Sequence, residues 1–405
     1  MKIGFIRIPW QRVAEGRCFM GAPDRRSVDE MKGEKESSSG KRSVILFSHA
    51  SDLSGAPIAL VRLAENLPRH GFRPLVLLPH SGELEELLST RGVQYRVLKK
   101  PFRVIDFIRT VRKEAPSLIH VNSLVSTWPV LVSRTMKKPV IWHVHEFLGK
   151  KRLYAALICL ISNGVILISR EQLTLFRGKP KATRIPNGVD TVRYENVSPS
   201  FTITGEREGG RKTMVLFLGR IDPNKGLLDL ARAASILKER RWIHYVVAGG
   251  VPKGGDRYGR AVRNFLKSKG LERCFHFLGY RQDIPEIIAS CDILCQPSYS
   301  DTFPLVLLEA MASALPVIGT SVGEVPYIID EGRTGFVVQP GDYESLADRI
   351  KRLDDDPDLR ARMGMAGKKR VKEEYEIRIH AGRVAEFYRN VIVRFSHKLR
   401  KTGGK

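Results

Sequence analysis

Cysteine is scarce in this chain of 405 residues. The five present, Cys18, Cys159, Cys274, Cys291 and Cys295, are odd in number and lack metal-ligand spacing. Neither a disulfide framework nor a zinc module is expected, and the usage fits a reducing compartment. Cys159, Cys291 and Cys295 lie in apolar runs, where a free thiol packs as a small hydrophobe. Long apolar runs are also missing, and none reaches the roughly 18 residues of a membrane-spanning helix. The nearest approach, LYAALICLISNGVILIS from Leu153 to Ser169, is cut at Ser162, Asn163 and Gly164. It reads as a buried helix, a turn and a buried strand. No secretory signal is expected, because no long apolar stretch follows the first basic residues. Acidic residues fall short of basic ones, 43 against 68, for a formal charge of +25. That excess points to an anionic partner: nucleic acid, an acidic membrane surface or a phosphorylated small molecule. Two phosphate signatures are absent. There is no Gly-x-x-x-x-Gly-Lys-Ser/Thr loop, and no Gly-x-Gly-x-x-Gly opens either half.

The length favours two domains, and 42% hydrophobic content is ordinary for a globular chain. Residues 1–42 differ from the rest. KIGFIRI has strand character, but DRRSVDEMKGEKESSSGKR is charged and nearly free of apolar residues, so a disordered or leader segment is expected. From Ser43, apolar runs such as SVILFSH, RPLVLLP, SLIHVNS, PVIWHVHE and GVILIS alternate with helical stretches. That alternation predicts a parallel sheet covered on both faces. It lapses over 191–211, rich in Pro, Gly and charge, and resumes at TMVLFLGR. The expected class is α/β, with doubly wound domains over 43–190 and 212–380 joined by a linker over 191–211. A helix over 381–396 should pack back on the body through Val384, Phe387, Tyr388, Val391 and Phe395, ahead of a basic tail over 397–405. Ligands of such sheets bind outside the carboxyl ends of the strands.

Two stretches stand out. In SYSDTFPLVLLEAMASALPVIGTSVGEV, from Ser298 to Val325, Asp301 and Glu309 lie eight positions apart. Leu305, Leu308, Ala312 and Leu315 recur at helical steps. A helix is therefore expected from near Phe303, with Asp301 in the loop before it and Glu309 about two turns in. A helix start offers unpaired N–H groups and partial positive charge, which suit a phosphate. The plain alternative makes Asp301 an ordinary helix-start residue and Glu309 a solvated one. GRIDPNKG, Gly219 to Gly226, follows a strand and precedes a helix, so Arg220 and Lys225 could reach one anion. A basic surface loop is the alternative there. Gly55, in the SDLSGAP turn after the first strand, would let backbone approach a ligand closely.

GRIDPNKG, AGG at Ala248 to Gly250, and DTFPLVLLEAMASALPVIGT resemble the C-terminal domain of retaining nucleotide-sugar glycosyltransferases of the GT-B fold (glycosyl transferases group 1, carbohydrate-active family four). IPNGVD at Ile185 to Asp190 is similar as well, as is SLIHVNS followed by PVIWHVHE, and the likeness covers about Ser43 to Tyr388. The resemblance implies two Rossmann-like domains facing a cleft, an acceptor domain first and a donor domain second, with C-terminal helices. It implies transfer of a hexose-type sugar from a nucleoside-diphosphate sugar to a hydroxyl acceptor (a glycan, glycolipid or lipid-linked group). It implies retention of configuration, with no metal or other cofactor. Arg220 and Lys225 would hold the donor diphosphate and stabilise its developing charge. Glu309 would bond the ribose hydroxyls, Asp301 would contact the transferred sugar, and the backbone at Phe303, Pro304 and Leu305 would meet the phosphate. Gly55, Gly219 and Gly249 fall on the donor-binding side. His145 aligns with an active-site histidine near sugar and acceptor. Two departures stand out: Asp301 occupies a position where the family has Glu, and in VGEVPYII Glu324 replaces a glycine and Tyr327 an acid.

His143 and His145 alternate on one strand end and so face the same way, and on sequence alone a histidine so placed is more often structural than functional. His120 and Asn122 close the preceding strand. A two-histidine metal site lacks a third ligand, since Glu146 falls on the opposite face. Asp354, Asp355 and Asp356 read as a solvated turn. Basic residues collect at Lys150, Lys151 and Arg152, at Lys368 to Lys372, and from Arg389 to Lys401. The first cluster leads into an apolar helix, a combination suited to an anionic membrane surface. The expected location is cytoplasmic and peripheral to that membrane face, with plain solvated charge as the alternative. Aromatics sit in apolar stripes and do not interleave with the basic clusters, which argues against nucleic acid. Two rivals to a transferase stay open: a catalytically silent binding protein of the same fold, and a basic nucleic-acid-binding protein.

Overall fold

A computed structural model describes residues 41–146, 152–200, 212–251 and 256–402. The expectations for 1–40 and for much of the linker lie outside the described residues. Strands β1 (Arg42–Phe47), β2 (Phe72–Leu78), β3 (Tyr95–Val97), β4 (Leu118–Asn122), β5 (Val140–Val144), β6 (Gly164–Leu167) and β7 (Ala182–Arg184) form one sheet. Its order is β3-β2-β1-β4-β5-β6-β7, with parallel pairing throughout. Strands β8 (Thr213–Leu218), β9 (Ile243–Ala248), β10 (Phe275–Gly279), β11 (Ile293–Gln296), β12 (Val317–Thr320) and β13 (Gly335–Val338) form the second. Its order is β10-β9-β8-β11-β12-β13, again parallel. The central strands are buried along nearly their whole length because helices cover both faces. Both sheets are therefore doubly wound, as the alternation predicts.

Each sheet reverses direction at its middle. The chain leaves β1 for β2 and β3, then returns to β4 on the other side of β1. It does the same from β8 through β9 and β10 to β11. Crevices form at such reversals, beyond the strand ends. The SDLSGAP turn follows β1 and Asn122 ends β4; GRIDPNKG follows β8 and Ser298 to Pro304 follow β11. The topology thus gathers the candidate residues at two switch points.

Two features tie the halves together. The helix Ile377–Thr402 lays Ala381, Val384, Ala385, Tyr388 and Val391 into the core of the first domain. It runs on to Thr402, into the stretch expected as a tail. The Tyr388 hydroxyl meets His120 Nδ1 at 2.7 Å, with both residues fully buried. A shared apolar cluster joins Ala59, Ile168, Val189 and Tyr194 to Leu307 and Leu308 of the second domain. Tyr194 lies in a short 3-10 turn, Thr191–Tyr194, so the linker begins as packed structure.

One expectation is overturned. Asp354 is no solvated turn residue. It is 5% exposed, accepts from Thr213 Oγ1 at 2.7 Å and pairs with Arg240 at 2.6 Å. Asp355 pairs with the same arginine, and Asp356 caps the helix Pro357–Glu374 by accepting from Leu359 N at 2.7 Å. Asp354 anchors the helix Tyr343–Asp355 to β8, because a buried carboxylate must find donors, and Asp356 starts the helix that follows. Among the described residues, no helix is long and apolar enough to cross a membrane.

Replacing Tyr388 by Phe keeps the ring and deletes the hydroxyl, leaving His120 Nδ1 buried without its partner. The expected cost is about 1–3 kcal/mol. A urea midpoint unchanged from wild type would show that this bond does not hold the final helix.

Candidate functional site

The loops after β8 and β11 and the end of β12 are stapled to one another. Tyr299 N donates to Asn224 O at 2.7 Å, and Thr320 Oγ1 donates to Ser298 O at 2.5 Å. Gly249 sits at φ +156, and a Cβ there would lie 1.8 Å from Gly219 O. Only glycine allows the ends of β8 and β9 to close this tightly. On its free side Gly219 has space, as does Gly55, where a Cβ would meet nothing within 4 Å. Gly55 opens the helix Gly55–Asn66 behind Ser54.

Lys225 Nζ lies 2.6 Å from Asp301 Oδ2, with both side chains largely buried. The cation and the first acid of the paired-acid motif are thus in contact across two loops. Arg220 is not drawn into that pair. Its side chain is 68% exposed and its Nε lies 3.2 Å from Asp222 Oδ2. Arg220 and Lys225 share a loop, with Asp222 between them in sequence. The helix starts at Leu305, slightly later than expected, because Pro304 takes the N-cap position in an extended conformation. Phe303 is buried and tilts against Tyr375, so only its backbone is available to a ligand.

Glu309 is no solvated position. It is 8% exposed, and its Oε1 is 2.5 Å from Arg62 Nη2 in the first domain. Burial works against the charge of Arg62, but Glu309 and Tyr194 beside it reverse the effect and leave its pKa raised. Burial, then Glu309, pushes the Tyr194 phenol up, so it stays protonated. Arg62 Nε and Nη1 remain buried without partners. The sequence signal for Arg62 was there to read: an arginine inside PIALVRLAEN, flanked by apolar residues.

The departure in VGEVPYII has a structural role. Glu324 has 0% exposure. It accepts from the backbone N–H of Arg170 and from Arg184 Nη2 at 2.5 Å, both in the first domain. Tyr327 lies under the Arg170 guanidinium, 4.3 Å from ring centroid to carbon. Glu324 N in turn donates to Thr302 O at 3.2 Å. Gly323, at φ +51, leans so close that a Cβ would stand 2.0 Å from Asp301 O. A continuous path of contacts therefore runs from Arg184 through Glu324 to the Asp301 loop and Lys225. Motif matching missed Arg184, Arg170 and this use of Glu324, because the contact joins residues 140 positions apart or more.

On the first-domain side, His145 Nε2–H donates to Asn122 Oδ1 at 2.7 Å. Asn122 Nδ2 donates to Ala56 O at 2.9 Å, tying both to the Gly55 turn. The His143 and His145 rings lie 4.2 Å apart, so the two do share a direction. Glu146 turns to Ser123 and to Leu124 N, at 3.0 Å for the latter. Burial drives the His145 imidazole down to about 3, with His120, His49 and His380 adding to the effect. His120 falls to about 3 and His380 to about 4, again chiefly through burial, and His143 falls well below its usual value. His145 is thus neutral near pH 7: a hydrogen-bonding group and a poor base. Among the described residues, no group of three or more His, Cys, Asp or Glu is arranged to hold a metal ion.

Two facing doubly wound domains with loops meeting at their switch points define the GT-B class. A family model described as Glycosyl transferases group 1 matches residues 203–370, and one described as Glycosyltransferase Family 4 matches residues 53–193. The chain belongs to the group 1 glycosyltransferases of the GT-B fold. It is 32% identical to a D-inositol 3-phosphate glycosyltransferase of Corynebacterium jeikeium over 188 residues, 44% of this chain and 45% of that protein. It thus matches less than half the length of that relative. A UDP-Gal:alpha-D-GlcNAc-diphosphoundecaprenol alpha-1,3-galactosyltransferase of Escherichia coli is 24% identical over 84% of this chain and 95% of its own. A glycosyltransferase from Rickettsia africae superposes with a TM-score of 0.75 at 20% identity, covering 87% of this chain and 99% of that one. The Anabaena protein HepE, crystallised with UDP, gives 0.73 at 20% identity, covering 85% and 98%.

Two outcomes follow. The buried histidines take up protons near pH 6.5 when unfolded but only near 3 to 4 when folded. The unfolded state therefore binds more protons across that window. Stability is full above about pH 6.5 and falls as pH drops, by up to about 1.4 kcal/mol per unit for each histidine. The urea midpoint should fall between pH 7 and pH 5, above the range where carboxylates titrate; a flat profile would contradict a neutral cluster. Separately, Glu324→Ala leaves Arg184 without its counter-ion, at an expected cost of about 3 kcal/mol. Small-angle scattering should show a larger radius of gyration as the domains part, and identical scattering would deny the strut its role.

Proposed function

We propose that this protein transfers a hexose-type sugar from a nucleoside-diphosphate sugar to a hydroxyl acceptor, with retention of configuration. The observation that carries the reading is the 2.6 Å contact of Lys225 with Asp301 at the second switch point. A cation suited to phosphate beside an acid suited to sugar hydroxyls supports this reading, and Arg220 on the same loop is exposed. In the proposed reaction the bond from the anomeric carbon to the diphosphate oxygen breaks, and its electron pair stays on the diphosphate. Arg220 and Lys225 meet that charge, with no metal needed for this task. The acceptor oxygen bonds the anomeric carbon on the face the diphosphate leaves, and its proton passes to a diphosphate oxygen. A neutral His145 fits this scheme, because no protein base is required; it orients substrate through its unused ring nitrogen. Glu309, held by Arg62, would accept from the ribose hydroxyls with its remaining lone pairs.

The relatives' printed names support a UDP-linked donor and an acceptor that is either a soluble phosphorylated polyol or a lipid-linked saccharide. We favour the lipid-linked acceptor, met at a cytoplasmic membrane face. Its relative aligns over most of both chains, whereas the inositol phosphate relative aligns over less than half.

Arg220→Ala and Lys225→Ala should each keep the fold, Glu309→Ala should in addition weaken the domain contact by stranding Arg62, and all three should lower turnover of the donor by roughly a hundredfold or more. A panel of nucleotide sugars screened by thermal shift names the donor first, since a ligand of the folded state raises its apparent stability. Full turnover in all three variants would sink the reading, and absence of any transfer or donor hydrolysis in wild type would favour a silent binding protein.

A further inference from the structure

Away from the cleft, the helix Arg152–Ile161 has two apolar faces. Ala155, Ile158 and Cys159 are buried in the first domain. Leu153, Tyr154, Leu157 and Leu160 point outward, at 89%, 45%, 49% and 68% exposure. A single exposed leucine is ordinary, but four large apolar side chains at helical spacing form a patch that calls for a partner.

The fold surrounds the end of that helix with cations. Lys181 Nζ donates to Cys159 O at 2.8 Å and to Ser162 O at 3.1 Å, and Arg134 Nη1 donates to Leu160 O at 3.1 Å. The final helix arrives at the same place. It crosses Gly164, where a Cβ would lie 2.9 Å from Phe387 and Val391. Its next two turns carry exposed Arg394, Lys398 and Arg400. Burial, with Arg134 and Lys398 nearby, lowers the pKa of Lys181, which places Lys398 beside this group of cations. Two basic stretches more than 200 positions apart in sequence thus share one face. None of the contributing segments, 128–138, 153–162, 176–184 and 387–400, contains an acidic residue.

We propose that this face docks on an anionic lipid bilayer. The four apolar side chains enter the boundary between headgroups and acyl chains, and the surrounding lysines and arginines meet lipid phosphates. A second copy of the chain fits worse, because it would set these cations against themselves in a molecule already at +25. A nucleic acid would neutralise the cations but leave the leucines in water. The proposal rests on the lipid-linked acceptor reading only for its purpose. Lipid binding is measured without donor or acceptor, so either idea can fail alone.

The test is flotation of the full chain with vesicles of phosphatidylglycerol and phosphatidylcholine, compared with phosphatidylcholine alone. Binding is expected only with phosphatidylglycerol. The double variants Leu157→Glu/Leu160→Glu and Arg394→Glu/Arg400→Glu should each reduce it roughly tenfold or more. Thermal melting should stay unchanged, because these side chains are exposed. No binding to the anionic vesicles, equal binding to neutral ones, or wild-type binding in both variants overturns the proposal. A wild-type dimer that Leu157→Glu/Leu160→Glu dissociates in sedimentation would also overturn it, assigning the face to self-association.

Discussion

A carboxylate withdrawn wholly from water holds the two domains in register. Removing Glu324 from solvent costs several kcal/mol, and only well-aimed donors offset that. Here they come from the other domain: the Arg184 guanidinium and the Arg170 N–H. The net stabilisation of such a pair is small, because attraction and desolvation nearly cancel. Its effect is on geometry. An arrangement that separates the domains without hydrating this carboxylate leaves a buried charge unpaired, so the observed closure is strongly specified. Arg62 and Glu309 apply the same rule at a second point of the interface. Two charge pairs through one interface resist rotation better than an apolar contact, which tolerates sliding.

The strut reaches into the site. Glu324 N bonds Thr302 O, and Gly323 presses on Asp301 O. The loop that presents Asp301 to Lys225 is therefore backed by the element that grips the first domain. Domain closure and the position of Asp301 are one mechanical fact. This also bears on the shorter acid. An Asp carboxylate reaches less far than a Glu carboxylate would, and here it stops against Lys225. In the proposed reaction a diphosphate competes with Asp301 for that cation, and the displaced carboxylate is then free to accept from sugar hydroxyls. Arg220, more exposed and held only by Asp222, can turn to the phosphate at lower cost.

The fold was legible because it rests on short-range regularities. Apolar runs alternating with helical stretches state a parallel sheet, and the motifs fall at strand ends where switch points must lie. The shared direction of His143 and His145 was likewise legible, whereas Lys225 was grouped with Arg220 and its contact with Asp301 was not foreseen. What stayed hidden depends on contacts across the chain. Arg62 against Glu309 and Arg184 against Glu324 each join residues 140 or more positions apart, and no local pattern encodes such pairs. The misreading of Asp354 has the same cause. An acidic run before a proline looks solvated until Arg240 and Thr213 arrive from the sheet to bury it. Glu324 read as a lost family residue because a motif records what a position usually binds. It is silent on what a substituted side chain can hold instead.

The charge of +25 invites the assumption that the cleft itself is strongly positive. The geometry argues otherwise. Lys225 faces Asp301, Arg62 faces Glu309, Arg184 faces Glu324, and Arg220 leans on Asp222. The cleft cations named here are matched by acids, so under the proposed function a donor would meet a locally balanced, preorganised site. Exposed positive charge lies instead on faces such as the one around Lys181 and the end of the final helix, whose segments hold no acid. Buried pairs are screened little by salt, whereas exposed charge is screened within about 8–10 Å at physiological ionic strength. Donor recognition in the cleft and attraction at the outer face should therefore respond to salt very differently. The excess charge belongs to the surface that meets the surroundings, and the proposed chemistry falls to the few cations that already have partners.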